Sequence, residues 1–212
     1  MSLKSLIRKP FRYAFWNASL VIIGINLAVF LLSVLNPYVN YYLSMNPLLV
    51  LYKGMVWQVF TYQFAHADIS HLFFNMLGVF MFGMSVERRV GSKEFLLLYL
   101  LSGTISGVLS LALYVATGTT GVFLLGASGS LFALMLAYAV LYPSSIILIW
   151  GVIPVPAPLL VLGYAIIEVF YLITATNQGV AHGTHLFGFA AGWAYFLVRF
   201  GINPIKVWTK RQ

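Results

Sequence analysis

Residues 95–167, FLLLYLLSGTISGVLSLALYVATGTTGVFLLGASGSLFALMLAYAVLYPSSIILIWGVIPVPAPLLVLGYAII, run for 73 positions without an Asp, Glu, Lys or Arg. One membrane-spanning helix needs only about 20 apolar residues, so this stretch has room for several. A second charge-free run, residues 13–52, lies upstream. The rest of the chain agrees: charged residues make up 8% of the 212, where a soluble domain carries about 25%, and mean hydropathy is +0.94. An ordinary soluble domain is excluded.

Turn signals divide the runs into spans. The first span is expected over 15–35, ending at Asn36-Pro37, and the second over 69–86, ending at Glu87-Arg88-Arg89. Between them, 37–62 is rich in Tyr and Asn and suits the outer headgroup level. The third span, 95–115, stops at Thr117-Gly118; the fourth, 128–141, is unusually short and stops before Pro143. Pro154, Pro156 and Pro158 cannot sit inside a helix, so 146–158 is predicted as an inner-face loop leading to a fifth span over 158–174. The polar turn Thr176-Asn177-Gln178-Gly179 introduces a sixth over 182–200. The expected fold is an all-α bundle of six transmembrane helices with an interfacial loop between the first two. It forms one domain over 1–212: a basic N-terminus (1–14), a transmembrane core (15–200) and a basic tail (201–212).

Eleven of the twelve Lys and Arg residues fall on the N-terminal side of these spans, Arg199 included, and Lys53 alone on the other. The positive-inside rule then places both termini in the cytoplasm, and a bacterial or archaeal cell membrane is expected. The first span is too long for the apolar core of a cleaved leader and reads as a retained signal anchor. Because the basic residues cluster at span ends, the net charge of +8 marks topology and not nucleic-acid binding. There is no cysteine, which removes disulfides, thiolate nucleophiles and Cys-based metal sites.

Polar groups are costly in hydrocarbon, so those inside spans are functional candidates. They are His71 and Asn75 in the second span, Ser128 in the fourth, Glu168 in the fifth, and His182 and His185 in the sixth. The second, fourth and sixth spans all enter from the outer side, and His71, Ser128 and His185 lie in their first two turns, which brings three helices' polar residues to one depth. His71 and Asn75, four apart, share a helix face. His185, Gly188 and Gly192 form a small-residue stripe, matched by Gly129, Ala133 and Ala137 on the fourth span. Such stripes let helices approach closely, so the fourth and sixth helices are predicted to pack along them with Ser128 beside His185. Gly126-Ala127-Ser128-Gly129 puts the serine at a helix start, where free amides hold an anion, and an imidazole supplies the base a hydroxyl nucleophile needs. His71 and Asn75 are candidate further donors. Singly, each feature has a bland explanation, such as a membrane serine bonding a carbonyl one turn back; the shared depth is what favours chemistry. His66 and His182 read as interfacial or supporting residues. Glu168 is assigned a structural or gating role, because nothing in its spacing directs it at His185, and the fifth helix is a gate candidate.

From Trp57 to Phe200 the chain resembles the rhomboid intramembrane serine proteases. Residues 64–76, FAHADISHLFFNM, are similar to the family's second-helix signature, 87–91 to its following loop, and Gly126-Ala127-Ser128-Gly129 to its nucleophile motif. His185, with glycines three and seven residues on, fits the sixth-helix pattern; His182 does not. The resemblance implies a Ser128–His185 dyad that cleaves transmembrane protein substrates among membrane lipids, without metal or cofactor, in a water-filled cavity open to the outer side. It implies His71, Asn75 and the Ser128 amide as the oxyanion hole, with Gly126, Gly129, Phe132, Gly188 and Gly192 supporting. Two positions depart from the pattern: Gln58 follows Trp57 where many members have arginine, and Phe132 replaces a tyrosine whose ring packs on the histidine. Two other readings stay open. One is a catalytically inactive relative that binds membrane clients. The other is a transporter that relays protons through His71, His185 and Glu168, which would leave the glycine-flanked serine unexplained.

Overall fold

A backbone in hydrocarbon has to satisfy its own hydrogen bonds, so long apolar runs become helices. The computed structural model describes residues 7–149, 151–174 and 181–209; the turn expected at 176–179, Lys4, Lys210 and Arg211 lie outside them. The main helices are Ala18–Leu35 (α1), Ile69–Val90 (α2), Ser92–Ala116 (α3), Ser128–Leu141 (α4), Ala157–Thr174 (α5) and His182–Tyr195 (α6). Among the described residues, α1, α2, α3 and α5 are long and apolar enough to cross a membrane. A π-helical turn at Val79–Gly83 interrupts α2, and another at Phe196–Phe200 extends α6.

The segment between α1 and α2 folds into short helices, Tyr38–Leu43, Pro47–Lys53 and Gln58–Thr61, and a 3₁₀ turn, Tyr62–Phe64. Asn46 caps the second of these by accepting from the Leu48 and Leu49 amides at 3.0 and 3.1 Å. Gln58, at the position where a charged anchor was expected to be missing, is fully buried. Its Nε2 donates to the Tyr41 carbonyl at 3.0 Å and its Oε1 accepts from the Asn46 amide at 3.2 Å. Neutral hydrogen bonds hold this loop in place of a charge.

The predicted loop at 146–158 is corrected by the structure: it is a β-hairpin, Ile146–Ile149 (β1) paired antiparallel with Ile153–Pro156 (β2). Pro154 and Pro156 oppose Leu148 and Ile146, the pairs in which no amide of β2 is needed, so prolines that forbid a helix are tolerated in a strand. The all-α expectation holds for the apolar runs and fails for this ribbon.

At the end of the molecule that carries the basic clusters, two buried carboxylates tie the chain together. Asn17, before α1, offers no side-chain cap. Glu87 of α2 supplies one, accepting from the Ala18 and Ser19 amides at 2.6 and 2.9 Å, and from the hydroxyls of Ser19 and Ser92 at 2.6 and 2.5 Å. Glu94 of α3 receives Arg199 Nε at 2.6 Å and the Tyr195 hydroxyl at 2.5 Å, while Arg199 also donates to the Ile7 carbonyl.

Helix α4 is the hub. It is apolar on every side, and eleven of its fourteen residues are buried by α2, α3, α5 and α6, as expected for a helix wrapped by others. At about 1.5 Å per residue it is about 21 Å long, some 9 Å short of a 30 Å hydrocarbon core. Ser128 is its first residue, and Leu141 ends it two residues before Pro143.

Candidate active site

Glycines bring the helices together. A Cβ on Gly188 would collide with the Gly129 carbonyl oxygen, and one on Gly192 would stand 3.0 Å from Ala133 Cα, so α6 packs against α4 backbone to backbone along the predicted stripes. A Cβ on Gly129 would meet Ser106 Cβ of α3 at 2.9 Å. The α3 side of this contact, buried Ser102, Gly103, Ser106, Gly107 and Ser110, has the same four-residue spacing, a signal the sequence reading did not use. Polar bonds lock it: Tyr62 hydroxyl to the Gly103 carbonyl at 2.7 Å, Ser130 to Gln63 Oε1 at 3.0 Å, and Ser110 to Thr184 at 2.7 Å.

This packing sets Ser128 Oγ 2.9 Å from His185 Nε2. Gly126 reaches the turn into α4 with φ +119°, a left-handed conformation that glycine adopts without penalty. A side chain there would also strike His71, whose Nε2 lies 2.6 Å from an ideal Cβ position. Phe132, one turn into α4, stacks on the His185 ring with centroids 4.3 Å apart and planes 11° from parallel. The stacking needs the ring alone; the missing hydroxyl costs no contact.

His71 and Asn75 project from α2 toward the same place. Asp68 caps that helix through the His71 amide at 2.9 Å. Asn75 is buried; its Nδ2 donates to the His71 carbonyl at 2.8 Å, which leaves the second hydrogen of that amide free. His71, Asn75, Ser128, Phe132 and His185 all line one cavity of about 1290 Å³. Its wall also includes Phe74, Leu77 and Met81 of α2, Leu160, Tyr164 and Tyr171 of α5, and Ile147–Ile149 of the hairpin.

The geometry directs Glu168 at His185, which its spacing in the sequence did not indicate. Its Oε1 lies 2.9 Å from His185 Nδ1 and its Oε2 2.5 Å from His182 Nδ1. One carboxylate on α5 thus engages both histidines of α6, and His182 is part of the constellation, not a bystander. Tyr164 and Tyr171, four before and three after Glu168, contact Phe132 and His182 respectively; this face of α5 was the readable clue. A Glu and two His with ligand atoms within 4.8 Å of one another could also accept a metal ion, but each carboxylate oxygen is already hydrogen-bonded to an imidazole. His66, outside the spans, packs edge-on to His71 at 5.1 Å, with both ring nitrogens buried and unpaired; burial, then the neighbouring His71, push its pKa down to about 4.

The family model for the Rhomboid domain matches residues 53–202. An Arabidopsis thaliana protein, RHOMBOID-like protein 12, mitochondrial, is 34% identical over 158 residues, covering 67% of this chain and 47% of its own length. A Danio rerio protein, Presenilin-associated rhomboid-like protein A, mitochondrial, is 31% identical over 152 residues, covering 70% of this chain and 38% of its own. The Rhomboid protease GlpG of Salmonella newport is 35% identical over 83 residues, 39% of this chain and 28% of its own. The chain thus matches about half or less of the length of these relatives.

Proposed function

Because the chain belongs to the rhomboid family of integral membrane proteins, we propose that it is an intramembrane serine endopeptidase that cleaves transmembrane protein substrates. The observation that carries this reading is the 2.9 Å contact between Ser128 Oγ and His185 Nε2 at the half-buried start of α4. In this reading the chain crosses the membrane six times, α4 and α6 included, with both termini cytoplasmic. The positive-inside asymmetry supports that orientation, and the short α4 supports a serine below the outer surface.

Ser128 Oγ attacks the substrate carbonyl carbon and its proton passes to His185 Nε2. The oxyanion forms where the Ser128 amide, His71 and the free Asn75 hydrogen converge; each well-placed donor is worth about 100- to 1000-fold in rate. The intermediate collapses, His185 delivers the proton to the leaving amine nitrogen, and a serine ester remains. Water then attacks the ester, giving its proton to His185, which returns it to Ser128 as the acid leaves. No metal or cofactor takes part in this scheme. A substrate helix has to unwind locally, because its own hydrogen bonds and side chains shield each peptide bond.

The test is labelling of the purified protein with a fluorophosphonate, locating the adduct by mass spectrometry. Labelling at Ser128, lost in Ser128→Ala and in His185→Ala, is the expected result. A folded protein that neither labels nor cleaves would overturn the protease reading in favour of client binding. Flux in liposomes that survives Ser128→Ala would instead point to transport.

A further inference from the structure

Of the four long helices, α5 is the least enclosed, 22% buried against 28% for α1 and 39% for α2 and α3. Its buried residues are Ala157, Leu160 and Val161 at the hairpin end and, in the other half, Glu168 alone. The apolar side chains around Glu168, such as Ile166, Ile167, Val169 and Phe170, are exposed to the surroundings. That half of α5 is therefore attached to the protein through a carboxylate and the Tyr171 ring, at a position where burying a charged group carries a desolvation cost.

The attachment has a chemical consequence. A carboxylate accepts and cannot donate, so Oε1 at 2.9 Å requires the proton of a neutral His185 to sit on Nδ1. Nε2 is then left as an acceptor facing Ser128, the tautomer a general base needs. Oε2 is occupied by His182 Nδ1 at 2.5 Å, which stops the carboxylate from rotating away from His185. His182 is itself buried and covered by Tyr171 of α5.

Resting on the protease reading above, we infer that Glu168, steadied by His182, is a positioning residue that fixes the reactive tautomer of His185, so that the Ser128–His185 pair is competent only while α5 is seated against α6. The link makes α5 both wall of the cavity and part of the catalytic geometry. When α5 moves outward, Glu168 leaves with it, and His185 loses the one group that selects its tautomer.

The experiment uses the purified chain in liposomes with a transmembrane substrate, beside the unmodified protein and Ser128→Ala, which report on the protease reading independently. Glu168→Leu removes the acceptor and suits an apolar helix face. It is expected to lower kcat at least ~100-fold with KM within about threefold in protein that its melting curve shows to be folded at the assay temperature, while Glu168→Gln, which keeps one acceptor oxygen, recovers about tenfold. A kcat for Glu168→Leu within about threefold of the unmodified protein would overturn the inference. Val161→Ala, at the buried footing of α5, tests the coupling to helix seating: it should reduce kcat in the unmodified background and not in the Glu168→Leu background. Equal losses in both, or none in either, would refute that coupling. Nitrogen-15 NMR of the imidazoles reads the same point without turnover. A His185 proton on Nδ1 that redistributes in Glu168→Leu is expected; a proton resident on Nε2 in the unmodified protein would sink the proposal whatever the state of the protease reading.

Discussion

Replacing Gly188 by alanine tests whether the α4–α6 contact sets the reactive distance. The added Cβ falls on the Gly129 carbonyl oxygen, well inside the ~3.3 Å at which carbon and oxygen normally meet, so relief needs the helices to part by about 1 Å. Gly129 follows Ser128 directly and Gly188 lies one turn after His185, so little of that shift can be absorbed before it reaches the site. The Ser128–His185 separation would grow from 2.9 Å to ~3.9 Å, beyond a hydrogen bond. A misplacement of about 1 Å costs about 100-fold in rate, and overpacking a contact costs ~1–3 kcal/mol in stability. Two alanine variants calibrate the result. A Cβ on Gly192 meets Ala133 at 3.0 to 3.2 Å, a tight contact that a small adjustment relieves, and one on Gly163 has nothing within 4 Å. The assay is kcat on a transmembrane substrate in liposomes, with fluorophosphonate labelling and a melting curve on the same samples. The expected order of loss is Gly188→Ala, then Gly192→Ala, then Gly163→Ala with none. A Gly188→Ala protein with unchanged kcat would refute the argument that backbone contact at this glycine sets the catalytic distance.

Variants at three other residues probe separate parts of the structure. Glu87→Ala leaves the start of α1 and two serines without their acceptor; a melting temperature lowered by the equivalent of ~3 kcal/mol is expected, with little change in the serine's reactivity once folded. Phe132→Tyr should keep the stacking on His185 and full activity, whereas Phe132→Ala, which removes the stacked ring, should lower kcat about tenfold; equal rates for the two would remove Phe132 from the site. His66 has its folded pKa depressed from 6.5 to about 4, so below the unfolded value the unfolded chain binds more protons and stability falls as pH drops from 6.5 toward 4, by up to about 3 kcal/mol. Melting in detergent across that window should show the loss, and His66→Phe should remove most of it.

How much of this protein could be read without coordinates follows from where the information lies. Helix α4 matches its predicted bounds, and α1, α3 and α5 begin within three residues of theirs, because a bilayer imposes a one-dimensional rule: apolar length between polar ends. The glycine and alanine stripes on α4 and α6 were legible for a related reason, since the period of the helix turns spacing into a face. The same rule could have revealed the Ser102–Ser110 face of α3. It could also have revealed the strand at 153–156, where prolines on alternate positions remove donors from one edge only.

Sequence alone thus determined the main apolar helices and the closeness of Ser128 to His185, since each depends on spacing within a helix or on position along it. Only the tertiary structure decided what Glu168 contacts. Its bond to His185 depends on how far α5 is rotated about its axis and how closely it docks on α6, and those two quantities come from the joint packing of Phe132, Tyr164, Tyr171 and His182. The spacing of Tyr164, Glu168 and Tyr171 marks one face of α5, but not which helix that face meets or how closely. The hub position of α4, likewise, is a property of four neighbours closing around a short helix.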